Sequence, residues 1–206
     1  MPARLITIEG IDGAGKTTLA AALAAALAAR GIDAVALREP GGVALAERIR
    51  ELVKDPGLEI AGRAEALLYA ASRAQLVAER VAPELAAGRW VVLDRYVDSS
   101  LAYQGAGRGL GVQAVRAINE FATAGLRADR TLLLAIEPAA GRSRRGDRGE
   151  DADRLEREPD DFFAAVAAAY ARLAAADPSR ICTLDATLSP AELATAALEA
   201  LSDLLE

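Results

Sequence analysis

Residues Gly10-Ile11-Asp12-Gly13-Ala14-Gly15-Lys16-Thr17 fit the pattern G-x-x-x-x-G-K-[ST], directly after the apolar run from Leu5 to Ile8 and directly before a long helix-forming stretch. A strand, a glycine-rich turn and a helix in that order leave the chain few options. The glycines let the turn curl so that successive backbone N–H groups converge, and the following helix adds the positive end of its dipole. Such a concavity binds phosphate. Lys16 is placed to reach the β- and γ-phosphates of a nucleoside triphosphate, and Thr17 to hold a magnesium ion bridging them.

Around this turn the chain alternates short apolar runs with helical patterns, which points to repeated strand-helix units: an α/β fold with a five-stranded parallel sheet and helices on both faces. The expected strands are Leu5 to Glu9, Ala34 to Leu37, Trp90 to Leu93, Thr131 to Ile136 and Ile181 to Leu184, each nearly continuous in apolar residues as buried parallel strands are. The expected helices are Thr17 to Arg30, Leu45 to Lys54, Arg63 to Ala87 with a kink at Pro83, Val112 to Ala124, Asp160 to Ala176 and Pro190 to Leu205. With 206 residues the expectation is one domain spanning the whole chain, since a single core holds up to ~250 residues before splitting. From Gly141 to Glu158 arginines and acidic residues crowd together without apolar periodicity, which reads as a mobile flap or a solvated loop.

Composition narrows the function. The formal charge of −6 opposes general binding to a nucleic acid polymer or an anionic membrane, so phosphate recognition must be local. No apolar stretch reaches the roughly 18 residues of a membrane span. The alanine run at Ala20 to Ala29 follows the phosphate-binding turn, where cleavage as a signal peptide would discard that turn, and the expectation is a soluble, cytoplasmic protein. Cys182 is the only cysteine and fits a reducing compartment. The chain has no histidine, so imidazole catalysis is excluded and the chemistry must run on carboxylates, cations and positioning.

In a parallel sheet, ligand groups come from the carboxyl ends of strands. Arg38-Glu39-Pro40-Gly41-Gly42 follows the second strand and Asp94-Arg95-Tyr96 the third, so Arg38 and Arg95 flank the phosphate-binding turn, with a planar fork suited to two parallel bonds to phosphate. An acceptor that is itself a phosphate monoester fits the missing histidine, because its anionic oxygens need alignment and charge shielding rather than a base. Asp12, Glu39 and Asp94 are the carboxylates expected near the reacting groups, Asp94 positioning magnesium-bound water. The turn carries no arginine between its glycines, so transition-state cations are expected from the flap: Arg142, Arg144, Arg145 or Arg148, delivered as it closes over ATP. Another small kinase, or a nucleotide-controlled switch, remains a rival. No Asn-Lys-x-Asp guanine-recognition sequence is present.

The combination of Glu9-Gly10-Ile11-Asp12-Gly13-Ala14-Gly15-Lys16-Thr17-Thr18, Arg38-Glu39-Pro40-Gly41-Gly42, Asp94-Arg95-Tyr96 and Ser99-Ser100-Leu101-Ala102-Tyr103-Gln104-Gly105, followed by Asp153-Arg154-Leu155-Glu156, resembles the bacterial thymidylate kinase family nearly end to end. The resemblance implies a three-layer nucleoside-monophosphate-kinase-like fold with a lid at about 141–158, transfer of the ATP γ-phosphoryl group to dTMP with Mg²⁺, and a homodimer of packed helices. It places the ATP phosphates on Gly10 to Thr18, adenine near Ala186 and Thr187, and the dTMP phosphate against Arg95, with Arg38, Glu39 and Pro40 beside the acceptor. It gives Asp12 the deoxyribose 3′-hydroxyl, Tyr103 the exclusion of ribose, Gln104 and Arg73 the thymine edge, and Tyr69 the stack on the base, with Ser99 and Ser100 in the same subsite. Thr17, Asp94 and Glu39 are the implied magnesium ligands, and Lys16, Arg95, Asp12, Arg142, Arg145 and Arg148 the implied catalytic residues. Tyr69 stands where relatives often carry phenylalanine, and Leu76 where many carry histidine.

Overall fold

The structure is a computed structural model that describes residues 2–146 and 152–205. Five parallel strands form one sheet: β1 (Leu5–Glu9), β2 (Ala34–Arg38), β3 (Trp90–Asp94), β4 (Arg130–Ala135) and β5 (Ile181–Asp185), in the order β2-β3-β1-β4-β5. The central strands β1 and β3 are buried at every residue, which is why they read as unbroken apolar runs ending in an acid. The edge strands β2 and β5 are only partly buried, against the expectation that all five would be covered.

The period of two sorts the strand side chains between two helical layers. Ile6, Ile8, Val92, Leu132 and Leu134 pack with α1 (Lys16–Ala28) and α9 (Pro190–Glu199) on one face. On the other, Leu5, Val91 and Leu93 meet Leu76 of α3 (Gly62–Leu76), while Leu133 and Ile181 meet α8 (Asp160–Ala176). Helices α2 (Ala44–Lys54) and α6 (Val112–Ala122) pack against α3. The Ser189–Glu192 capping box fixes the start of α9, with Pro190 at its first turn.

Four segments depart from the sequence expectation. The long helix after Arg63 begins at Gly62 and passes through a π-helical turn, Val77–Val81, before α4 (Ala82–Ala86). Pro83 donates no N–H, and the wider turn ahead of it absorbs the disruption. Val97 to Gly107 is helical, as α5 (Val97–Ser100) and the π-helical Leu101–Gly107, although its serines and glycines carry no helix signal. The start of the charged segment is also helical, as α7 (Pro138–Gly146). Finally α9 stops at Glu199, where the chain turns through a short 3₁₀ stretch and Leu201 enters the core.

Register aligns the ends that matter. Ile8 and Arg38 both pair with Asp94, so the segments leaving β1, β2 and β3 emerge side by side at one edge of the sheet.

Candidate active site

Those three segments line a cleft of about 530 Å³. From the first come Asp12, Gly13, Gly15, Lys16, Thr17 and Thr18, from the second Arg38, Glu39 and Pro40, and from the third Asp94 and Arg95. Tyr69 and Arg73 of α3 close one wall, with Ser99, Ser100, Tyr103 and Gln104 from the helical segment after β3. The expected phosphate, acceptor and base residues are thus brought into one space. Gly10, Ile11 and Ala14 form the inner side of the turn rather than the cleft wall, Ile11 and Ala14 being buried. A Cβ on Gly10 would lie 2.6 Å from the carbonyl oxygen of Leu134, so only glycine passes there.

Helix α1 starts at Gly15, whose φ of 95° suits glycine, and no side chain caps its first amides. These N–H groups and the positive end of the helix dipole would favour an anion at the glycine-rich turn. Lys16 Nζ donates to the carbonyl of Ile11 at 2.8 Å, across the turn. Burial above all, and then the charge of Arg95, push the Lys16 ammonium down to about 8, against the pull of Asp12, Asp94 and Glu9.

Arg95 is the junction of the cleft. Its φ of 70° is left-handed, a conformation costing about 1–3 kcal/mol that the surroundings must hold. They do so through the side chain: Nη2 donates to Asp12 Oδ1 at 2.6 Å and Nη1 to Ser99 Oγ at 3.0 Å, and the guanidinium lies 5.0 Å from the centre of the Tyr103 ring. Tyr103 donates its hydroxyl to Asp12 Oδ2 at 3.1 Å. Burial opposes ionisation of Asp12, but the charges of Arg95 and Lys16 outweigh it and hold the carboxyl well below the usual range.

Beneath this junction lies a residue whose role its sequence position does not reveal. Glu9 is fully buried and accepts the N–H groups of Tyr96 and Ser99 at 2.8 and 3.1 Å, together with the hydroxyls of Ser99 at 2.5 Å and Tyr170 at 2.9 Å. Burial foremost, and the neighbouring Asp98, raise its carboxyl above the ordinary value. Ser99 links Glu9 to Arg95 directly. Only the burial of an acid at the end of an apolar strand would have marked it, and β3 ends the same way in Asp94.

Arg73 is equally deep. Its Nη1 donates to Ser100 Oγ at 3.0 Å and to Asn119 Oδ1, and its Nη2 donates to the Tyr96 carbonyl at 2.9 Å and lies 2.7 Å from Glu39 Oε2. Its Nε has no partner among the described residues, although it is buried. Burial pushes the Glu39 carboxyl up to about 7 despite Arg73, and Glu39 Oε1 also lacks a partner among the described residues. Thr17 donates to Asp94 Oδ2 at 2.5 Å. Among the described residues no cluster of three or more His, Cys, Asp or Glu could cage a metal by itself. Arg38 reaches outward to Glu47 Oε1 at 2.6 Å.

The charged segment supplies Asp153, Leu155 and Glu156 to the cleft rim, and α2 adds Arg50 and Lys54, none of which the sequence pointed to as contacts. Arg142 pairs with Asp160, and Arg144 Nη1 donates to the carbonyl of Ala186 at 2.8 Å, so neither lines the cleft. Arg145 lies in α7 and Arg148 lies outside the described residues. Ala186 is buried after β5 and Thr187 donates to Asp185, both away from the cleft but beside Arg144.

The family profile described as thymidylate kinase matches residues 8–197. Thymidylate kinase from Rhizorhabdus wittichii is 48% identical over 207 residues, covering 100% of both chains. That from Deinococcus radiodurans is 50% identical over 188 residues, covering 91% of each. The crystal structure of thymidylate kinase from Ehrlichia chaffeensis superposes with a TM-score of 0.78 at 26% identity, covering 98% of this chain and 99% of that one. With the phosphate-binding turn, the Arg95 junction and the deep Arg73 meeting in one cleft of this fold, the chain belongs to the thymidylate kinase family.

Proposed function

We infer that the protein transfers the γ-phosphoryl group of ATP to the phosphate of dTMP, giving dTDP and ADP. One observation carries this reading: Lys16 and the free amides of α1 share a cleft with Arg95, and the same cleft continues to Tyr69, Arg73 and Gln104. A donor phosphate site, an acceptor phosphate site and a base site therefore lie in sequence. An acceptor monoester is already anionic, and what it needs is alignment and charge neutralisation. Arg95 supplies both at the acceptor, Lys16 at the donor. Asp12 orients Arg95 and faces the sugar. The ring of Tyr103 fills the space a 2′-hydroxyl would need. Tyr69 stacks on the base, and Arg73 and Gln104, which line the same end of the cleft, meet the thymine edge.

The residues present fit Mg²⁺. Thr17 and Asp94 are within hydrogen-bond distance of each other, and Glu39, whose Oε1 is buried without a hydrogen-bond partner among the described residues, is among the residues lining the same cleft. This ion is usually held by one or two protein groups plus phosphate oxygens, so a closed protein cage is not required. When bound it neutralises charge on the β- and γ-phosphates. Adenine fits beside Ala186 and Thr187, where Arg144 now bonds.

The whole chain acts as one kinase domain in this reading. The segment at about 141–158 serves as its lid, delivering Arg142, Arg145 or Arg148 to the phosphates and excluding water. The homodimer of this reading is supported by exposed apolar residues on the packed helices α2, α3 and α6: Leu45, Leu52, Leu67 and Phe121, the last 92% exposed. Leu101 to Tyr103, by contrast, is core. A cytoplasmic location suits the free Cys182, and no described helix is long and apolar enough to cross a membrane. Acceptor-dependent ADP formation with Mg²⁺ tests the reading. Turnover with dTMP far above that without acceptor is expected, and equal turnover without acceptor refutes it.

A further inference from the structure

Gln104 lines the cleft, and its Nε2 donates to Glu65 Oε1 at 2.9 Å. Glu65 sits on α3 and is fully buried. Arg108 makes a fork to it, Nε and Nη2 lying 3.0 to 3.3 Å from its oxygens, and Arg154 Nη2 lies 2.7 Å from Oε2. Burial works against ionisation, but hydrogen bonds from Arg108 and Gln104 prevail and hold the Glu65 carboxyl below its usual value. An ionised carboxylate only accepts hydrogen bonds. The two ends of a glutamine amide have nearly the same shape and opposite hydrogen-bonding character, so a neighbour that can only accept decides which end faces it.

We propose that Glu65 is a specificity-determining positioning residue, which holds the amino end of the Gln104 amide and so leaves its oxygen for the cleft. This rests on the reading that a pyrimidine monophosphate occupies the cleft. The site then offers the base edge an acceptor from Gln104. Thymine and uracil present the complement there, an N3–H donor. Cytosine presents the reverse, an N3 acceptor, and would leave buried polar groups opposed like to like. Glu65 thus separates dTMP and dUMP from dCMP without touching any of them, and it cannot separate dTMP from dUMP.

That asymmetry gives the test. In Glu65→Gln, the new amide can donate to Gln104, whose amide is then free to turn its nitrogen toward the base. The ratio of kcat/KM for dTMP over dCMP should fall about tenfold or more, while the dTMP to dUMP ratio and the KM for ATP stay unchanged. The binding ratio of dTMP to dCMP, measured by titration calorimetry without ATP, should fall in parallel. The swap Glu65→Gln with Gln104→Glu keeps one carboxylate in the cluster and again presents an acceptor to the base. It should hold the dTMP to dCMP ratio near the parent value, and it serves alone if the single variant does not fold. An unchanged dTMP to dCMP ratio in Glu65→Gln, an equal fall in the dTMP to dUMP ratio, or a collapsed ratio in the swap overturns the proposal. A parent enzyme that phosphorylates no pyrimidine monophosphate overturns the kinase reading first, and this inference with it.

Discussion

Exchanging the interior glycine of a helix for alanine ordinarily stabilises that helix by about 1 kcal/mol. Gly141 of α7 should do the opposite. A Cβ there would stand 2.7 Å from the carbonyl oxygen of Asp12 and 3.2 Å from Ile11 Cδ1, in a setting where ordinary contact begins at 3.4 Å. The obstacle is the backbone of the phosphate-binding turn, which cannot rotate away as a side chain can. From the other side, a Cβ on Gly13 would stand 2.1 Å from the carbonyl oxygen of Gly141. The first turns of α7 are thus laid against the glycine-rich turn proposed to hold the donor phosphates. Overpacking of this kind costs about 1–3 kcal/mol, so the helix gain is cancelled or reversed. More telling is the displacement, because a shift of the loop toward 1 Å can cost up to about a hundredfold in rate. For Gly141→Ala the expectation is a melting temperature at or below that of the parent and a kcat/KM for ATP lowered by about 10–100-fold, with the KM for dTMP little changed. Ala140→Gly, at an exposed position of the same helix, should weaken α7 without moving the loop and leave the ATP parameters intact. A Gly141→Ala enzyme that melts higher and keeps its ATP kinetics refutes the reasoning.

Arg95→Lys removes the fork that joins Asp12 to Ser99, and kcat/KM for dTMP should fall by about a hundredfold or more while ATP binding in a non-hydrolysable form is retained. Tyr103→Phe loses hydrogen bonds to Asp12 and Arg95 at a cost of about 1 kcal/mol, yet keeps the ring, so steady-state assays should show preserved preference for deoxyribose, whereas Tyr103→Ala should lose it. Phe121→Asp, at a position 92% exposed in the single chain, should convert a dimer to a monomer in sedimentation without unfolding it. If Arg73, Gln104 and Arg95, which line one cleft, hold the acceptor as proposed, chelation of divalent metal should abolish turnover while leaving dTMP binding measurable by calorimetry.

The sheet was legible because its central strands are covered on both faces and so read as apolar runs, with the glycine-rich turn marking the end of β1. The glycine-rich turn was legible for a different reason: Gly13, Gly15, Lys16 and Thr17 stand at fixed offsets that are local in sequence. What escaped was set by distant packing. The helix through Val97 and Tyr103 has no propensity signal and is helical because α8 and the sheet bury it. Glu9, Glu65 and Tyr170 look in sequence like any strand-end or helical residue, and only their depth and their bonds to Ser99, Gln104 and Arg95's neighbours give them roles. The charged segment misled through its polarity: its first turns are helix α7, and Arg154 reaches back to the carbonyl of Val53 rather than into solvent.

In the proposed reaction one cleft aligns a donor phosphate with an acceptor phosphate. This alignment is tested most directly by following the label from γ-labelled ATP with Mg²⁺ and dTMP. The label should appear in the terminal phosphate of dTDP, one for each ADP formed, with little released as free phosphate. Label recovered chiefly as inorganic phosphate, at a rate indifferent to dTMP, would contradict it.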